Sequence, residues 1–151
     1  MPSITPFLWF DTQAEEAMNF YASIFKRSKV ISVSRAQGKV MSVQFELEGQ
    51  RFMALNAGPL YRFTEAISFF VGCDTQQEID ELWGKLVADG GEPSRCGWLK
   101  DKFGLFWQIV PDIITEVFQS GDKQKAQRVM QAVMKMKKLD IEGLKRAAEG
   151  K

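Results

Sequence analysis

The chain has 151 residues, a length typical of one domain, and its 20 Lys and Arg residues nearly balance 19 Asp and Glu residues, for a formal charge of +1. This balance provides no strong field for nucleic acid or an acidic membrane, so neither partner is expected. There is no histidine, and the two cysteines, Cys73 and Cys96, lie far apart outside any CxxC pattern. A histidine-bound metal and histidine-dependent hydrolases are therefore excluded, and a structural zinc site is disfavoured. Without a basic leader or a membrane-length apolar run, the sequence predicts a cytoplasmic protein.

The first predicted elements are a strand, from about Thr5 to Phe10, and a helix that follows it. Apolar residues recur on that helix at three- and four-residue spacings: Ala14, Ala17, Met18, Tyr21 and Phe25. Thr12 precedes Glu15 by three residues, which predicts a capping box at the start of the helix. Three strands follow, over about 30–35, 40–47 and 51–55, with a turn at 48–50 between the last two.

The same order recurs in the second half, where residues 74–76 repeat the Asp-Thr-Gln of residues 11–13. A strand over about 67–73 precedes a helix that has a second Thr-x-x-Glu box, Thr75 to Glu78. Further strands are predicted over 96–99 and 105–110, and the strand directly after the helix is shortened around Pro93. From Asp112 onward the spacing is helical, and the end of the chain is locally basic. The sequence thus predicts a duplicated strand–helix module followed by a helical extension.

Side chains two apart on a strand share a face, so alternation divides each predicted sheet into two faces. The odd-numbered residues of these strands form a uniformly apolar face, which is expected to lie under the helices: Phe7, Trp9, Met53, Leu55, Ile67, Phe69, Val71, Leu105, Trp107 and Ile109. The even-numbered residues form a face that mixes polar and apolar side chains: Pro6, Leu8, Phe10, Phe52, Ala54, Asn56, Ser68, Phe70, Phe106, Gln108 and Val110. A ligand pocket combines apolar walls with a few polar groups, so the mixed face is the predicted pocket.

Four segments carry a family resemblance: ITPFLWFDTQAEEAMNFYASIF, FMALNAGP, EAISFFV and CGWLKDKFGLFWQIVP. They resemble PhnB-like proteins of the glyoxalase/bleomycin-resistance, or vicinal oxygen chelate, superfamily, often labelled demethylubiquinone methyltransferases. The segment VMQAVMKMKKLDIEGL looks like the C-terminal extension of many PhnB-like members. The resemblance implies an α+β fold in which two βαβββ modules form curved mixed sheets around a shared cavity, commonly in a homodimer. The duplicated domain would span 1–111, with modules of about 1–57 and 64–111, and residues 112–151 would form helices packed on the domain or on a partner.

Metal-dependent relatives hold a divalent cation with one residue in each first strand and one in each last strand. Matching motifs to within one residue, the resemblance places Pro6, Ala54, Ser68 and Gln108 at those positions. Proline and alanine side chains have no ligand atom, and serine with glutamine binds divalent cations weakly, so no metal or other cofactor is expected. The sequence gives no support to the methyltransferase label, because no glycine-rich nucleotide-binding turn follows a strand and begins a helix.

The predicted ligand contacts are polar residues of the mixed face, aromatic residues near it and one cation between the modules: Gln108, Ser68, Asn56, Phe70, Phe106, Trp98 and Arg62. Each has a structural alternative, because buried amides are usually bonded to neighbours, aromatic residues on strands are usually core, and arginines are usually solvated. No catalytic residue is assigned. The favoured function is a metal-free protein that binds a small organic molecule of unknown identity. An enzyme without the usual metal, such as a transferase, and a homodimeric scaffold with a filled cavity stay open as alternatives.

Overall fold

The computed structural model describes residues 1–151, and these form two compact units, Met1–Arg62 and Phe63–Lys151. Each unit contains one four-stranded mixed sheet and a helix packed on it. The fold is therefore the predicted α+β arrangement of two strand–helix modules with open sheets.

The first unit is a βαβββ module. Its elements are β1 (Phe7–Phe10), α1 (Ala14–Ile24), β2 (Ser28–Ala36), β3 (Lys39–Leu47) and β4 (Gln50–Asn56). The sheet order is β1-β4-β3-β2, with β1 parallel to β4 and the other pairs antiparallel. Both residues of the β3–β4 turn, Glu48 and Gly49, have positive φ, the conformation of a tight hairpin turn.

The second unit repeats this order with shorter strands. Its module comprises β5 (Phe69–Cys73), α2 (Gln76–Val87), β6 (Glu92–Pro93), β7 (Trp98–Lys100) and β8 (Phe106–Pro111). The sheet order β5-β8-β7-β6 matches that of the first sheet, and β5 is parallel to β8. The strand after α2 has only two residues, which confirms the predicted shortening around Pro93, since proline cannot donate to a ladder hydrogen bond.

Three helices follow the second module: α3 (Asp112–Gln119), α4 (Lys123–Val133) and α5 (Ile141–Ala148). Their buried faces form one apolar cluster with the end of β8: Val110, Val117, Val129, Val133, Leu139, Leu144 and Ala148. Arg128 donates from Nε and Nη2 to the carbonyl oxygens of Ala147 and Ala148, at 3.0 and 2.7 Å. It thereby adds a charged donor to carbonyls at the end of α5, where the Ala147 carbonyl also accepts from the Gly150 amide at 3.1 Å.

The two modules cap their helices differently. At α2 the predicted capping box is present: the Glu78 amide donates to Thr75 Oγ1, and the Thr75 amide donates to the Glu78 carboxylate. At α1 the predicted box of Thr12 and Glu15 is wrong, because Gln13 is the N-cap and no side chain of the N-cap bonds to the helix. The helix begins one residue later than alignment with α2 predicts, so Thr12 lies outside the cap.

The amide of Ala14, the first residue of α1, has its hydrogen-bond acceptor in the sheet. Asn56, the last residue of β4, accepts a hydrogen bond from the Ala14 amide at its Oδ1, at 2.8 Å. Its Nδ2 donates to the Val40 carbonyl at 3.2 Å. The Asn56 amide thus joins the end of β4 to the start of α1 and to β3.

Candidate functional site

The first sheet buries the opposite face from the one predicted. The even-numbered residues of β1 and β4 are buried: Leu8, Phe10, Phe52 and Ala54, the last at 0% exposure. Phe7, expected in the core, is 54% exposed. The Tyr21 ring of α1 stacks near the Phe45 ring, with centroids 6.4 Å apart, so α1 packs on this even face. The prediction failed because both faces of these strands are apolar, and alternation separates two faces without saying which one the helix covers.

We call the side of each sheet turned away from its own helix the far face. On the far face of the first sheet, strand register places Phe7 opposite Met53 and Trp9 opposite Leu55. The Trp9 indole donates to the Gly58 carbonyl at 2.9 Å. The Tyr61 ring meets the Trp9 ring edge-on, with centroids 4.9 Å apart. Sequence reasoning placed Trp9 in the core and so missed these aromatic residues; the pairing of Trp9 with Tyr61 has no local sequence signal.

The second sheet buries the predicted face on β8, although Ile67, also predicted under the helix, precedes β5 and is 61% exposed. Leu105, Trp107 and Ile109 are buried, and α2 packs on β7 and β8. The Trp107 ring also packs at a tilt against Phe69, with centroids 5.3 Å apart. The polar residues Ser68 and Gln108 on the opposite parity made the two faces of this sheet distinguishable.

The far face of the second sheet brings five predicted contact residues together. Register places Trp98 and Phe70 on either side of Gln108, in one row across three strands. Phe106 lies two residues before Gln108 on β8, opposite Lys100. The Gln108 Nε2 donates to Ser68 Oγ at 2.9 Å, so Ser68 lies on this face as well. The result is a hydrogen-bonded amide and hydroxyl with three aromatic side chains on the same face.

The other two predicted residues belong to the first unit. Asn56 is engaged at both its oxygen and its nitrogen, as the cap of α1 and a donor to β3. Arg62 is exposed at the last position of that unit. A ligand role for these two, as for the five residues of the second sheet, stays a prediction.

A buried carboxylate shapes the turn between β7 and β8. Asp101 is only 1% exposed, and its Oδ1 accepts from the amides of Phe103 and Leu105, at 2.9 and 3.0 Å. Its Oδ2 accepts from the Trp107 indole at 2.8 Å. The turn lies between the strands predicted over 96–99 and 105–110, but the burial of Asp101 was missed; the Asp-x-x-Gly spacing to Gly104 was the available signal. The three bonds fix the start of β8, the strand that carries Phe106 and Gln108.

The two cysteines have different surroundings. Burial, together with the nearby carboxylates of Glu78, Asp112 and Asp74, raises the pKa of the Cys73 thiol to about 12. A thiol with such a pKa remains protonated and unreactive at neutral pH. Cys96 is partly buried against the apolar cluster of the C-terminal helices. Beside Cys73, a side-chain hydrogen bond with Asp112 raises the pKa of Asp74.

Comparison with known proteins identifies the family. The family model described as 3-demethylubiquinone-9 3-methyltransferase matches residues 2–110. The PhnB protein from Bacillus cereus is 37% identical over 73% of this chain and 99% of its own, with a TM-score of 0.68. The chain belongs to the PhnB-like family. No curated protein matches it.

Two further solved structures show that the PhnB-like fold is shared more widely. Protein PA1353 from Pseudomonas aeruginosa is 20% identical, with a TM-score of 0.60, over 74% of this chain and 98% of its own. The fosfomycin resistance protein FosX from Listeria monocytogenes, solved with Mn(II) and sulfate, is 14% identical, with a TM-score of 0.54, over 72% of this chain and 91% of its own.

None of the helices of this PhnB-like chain is long and apolar enough to cross a membrane.

The residues of this PhnB-like chain do not fit the divalent cation that the superfamily resemblance implies. Ala54 is buried on the helix side of its sheet, and Pro6 contributes only a backbone carbonyl, which accepts from the Met53 amide at 2.9 Å. Ser68 and Gln108 are bonded to each other. No three Cys, Asp or Glu side chains gather where they could hold a metal ion. Hard divalent cations need several oxygen or imidazole ligands, and this donor set does not supply them.

Proposed function

We propose that this PhnB-like protein binds a small, planar, uncharged organic molecule on the far face of its second sheet, without a metal. The observation that carries the proposal is the Gln108–Ser68 hydrogen bond in a row flanked by Trp98 and Phe70. Polar groups of this kind fix a ligand's orientation, while aromatic walls provide most of the contact area.

The Gln108–Ser68 pair presents a donor beside an acceptor. Because Gln108 Nε2 donates to Ser68 Oγ, the Ser68 hydroxyl hydrogen is free to donate outward, and Gln108 Oε1 is free to accept. A ligand with an adjacent acceptor and donor, such as a carboxamide or a hydroxyketone, would complement both groups. Two such bonds together contribute about 1–3 kcal/mol to binding.

Charge and shape on this face favour a neutral, flat ligand. Lys100 and Glu92 lie opposite each other in the register of β6 and β7, so their charges offset one another. Phe70 is 57% exposed, which leaves aromatic surface for contact. Covering that surface would contribute about 25 cal/mol for each Å² removed from water.

The proposal also includes a homodimer. In the first unit several large apolar side chains are exposed, including Phe7, Leu60 and Tyr61, and β1 is an edge strand of its sheet. Exposed apolar side chains beside an open sheet edge are typical of a protein–protein contact. Sedimentation equilibrium tests this part: a species of twice the 17.2 kDa chain mass supports it, and a monomer at all concentrations contradicts it.

The binding proposal is tested by calorimetric titration with 2-naphthamide, whose carboxamide is an adjacent acceptor and donor on a planar ring system. We expect 2-naphthamide to bind more tightly than 2-acetylnaphthalene, which lacks the donor. Gln108→Leu should remove that preference, whereas Gln124→Leu, at an exposed position of α4, should keep it. Equal binding of both probes by wild type and Gln108→Leu would contradict the proposed site. A stoichiometric transition metal in the purified protein would contradict its metal-free state.

A further inference from the structure

The C-terminal helices cover one end of the far face of the second sheet. Register places Gly72 opposite Val110, in the row directly beyond the one that contains Phe70 and Gln108. Val110 shares its face with Gln108 because the two are two residues apart on β8. Yet Val110 is buried, since it belongs to the apolar cluster formed with α3, α4 and α5. The far face is therefore blocked about 7 Å along the strand from Gln108.

The segment 136–141, which we call the C-terminal arm, is bonded to the turn that precedes β7. The amides of Cys96 and Gly97 donate to the carbonyls of Met136 and Lys137, at 2.9 and 2.8 Å. The Gly97 carbonyl accepts from the amide of Ile109, the neighbour of Gln108, at 2.8 Å. Gly97 has a φ of +82°, and a Cβ there would lie 2.9 Å from Leu139 Cδ1. The arm thus packs directly on the backbone that leads into Trp98.

The start of α2 holds the arm from its other side. Gln76 Nε2 donates to the Leu139 carbonyl at 3.1 Å, and Gln76 Oε1 accepts from the Ile141 amide at 2.8 Å. Lys138 Nζ lies 2.7 Å from Asp80 Oδ1. The hydrogen bond from Lys138, aided by Gln76, lowers the pKa of Asp80. One glutamine therefore bonds to two backbone groups of the arm, and an ion pair lies beside it.

We propose that the C-terminal arm and its helices form the end wall of the ligand face and limit the length of the ligand that it accepts. This inference rests on the proposed function. A molecule anchored at the Gln108–Ser68 pair meets the covered row of Gly72 and Val110 after about 7 Å in that direction. The family model ends at residue 110, so α3, α4, α5 and the C-terminal arm lie outside the residues that it matches.

The test compares Gln76→Ala with Gln77→Ala in the full chain. Both glutamines lie in the first turn of α2, but only Gln76 bonds to the arm. The first readout, made without any probe, is the rate at which Cys96 is labelled by a thiol reagent. We expect Gln76→Ala to speed labelling several-fold and Gln77→Ala to leave it unchanged. Lys138→Met, an exposed change that removes the Asp80 ion pair, is a second loosening variant with the same expected direction.

The second readout is the ratio of affinities for 2-naphthamide and the longer anthracene-2-carboxamide. We expect wild type and Gln77→Ala to prefer the shorter probe by about tenfold, and Gln76→Ala to lose most of that preference. Faster Cys96 labelling with an unchanged affinity ratio would contradict the proposal that the arm limits ligand length, without contradicting the proposed binding site. Unchanged labelling in both loosening variants would overturn the role of the arm. Failure of wild type to bind either probe would instead refute the proposed function, on which the wall depends.

Discussion

Gln108 Nε2 lies 2.9 Å from Ser68 Oγ, and this single hydrogen bond joins β8 to the residue directly before β5, 40 positions away in the chain. Both side chains are only partly buried. Their bond therefore orients two polar groups at the surface of the sheet and contributes little to the stability of the core.

Ser68→Ala should weaken binding of 2-naphthamide about fivefold, because it removes the outward hydroxyl donor and frees the Gln108 amide to rotate. The unfolding free energy should change by less than about 1 kcal/mol, since the site is partly solvated. Titration calorimetry and urea denaturation measure the two effects. Ser94→Ala, at an exposed position near β7, is the control and should change neither. A stability loss above about 2 kcal/mol would show that the pair is structural.

Asn56→Ala should destabilise the first unit by about 1–2 kcal/mol, because the Ala14 amide and the Val40 carbonyl both lose a partner. Asn19→Ala, on the exposed side of α1, should be neutral or slightly stabilising, since alanine favours helix. The midpoint of urea denaturation, with an unchanged slope, is the measurement. Equal midpoints for the two variants would show that Asn56 does not cap α1.

Asp101→Asn should cost about 2–4 kcal/mol, because an amide nitrogen would replace one of the two oxygens that accept from three N–H donors. Asp89→Asn is the control: Asp89 is exposed and has a φ of +59°, a conformation that asparagine tolerates. Thermal unfolding followed by tryptophan fluorescence should separate the two. If Asp101→Asn unfolds like wild type, the carboxylate does not organise the β7–β8 turn.

Arg128→Met should loosen α5 without unfolding the sheets, because the Ala147 and Ala148 carbonyls lose their charged donor. Hydrogen exchange should become faster across 141–148 and stay unchanged in β8. Lys123→Met removes a charge from α4, the helix that contains Arg128, at an exposed position. It should leave hydrogen exchange in both regions unchanged. Uniform acceleration across the chain would indicate global destabilisation instead of a local cap.

Alkaline pH should destabilise the protein through Cys73. Burial raises the thiol pKa from 9.0 to about 12 in the folded state, so the folded chain keeps this proton more tightly than the unfolded chain does. The contribution to stability is complete below pH 9 and is lost as pH rises from 9 towards 12, with a slope of at most about 1.4 kcal/mol per pH unit. Cys73→Ala should have a correspondingly shallower decline than wild type in denaturation measured over this range. Parallel pH profiles for the two proteins would contradict the shifted pKa.

Local patterns were sufficient to predict the two modules, the short strand at Pro93 and the capping box at Thr75. They predicted which side of the second sheet is turned away from its helix, because Ser68 and Gln108 mark that side as polar. In the first sheet Phe7 and Phe10 look equally suited to a core, so only three-dimensional packing selects the covered face. The same limit hides the capping role of Asn56 from the sequence, because its partner, Ala14, lies 42 residues away.

The contacts of Gln76 with the C-terminal arm also have a consequence for folding order. The Gln76 side chain and the Ile141 amide are separated by 65 residues, so the bond between them closes a long loop. During synthesis the Cys96 and Gly97 amides leave the ribosome well before the carbonyls of residues 136 and 137 that they will pair with. The second module therefore completes its backbone hydrogen bonding only after residue 137 has been made, whereas the strands of the first module can all pair by residue 56.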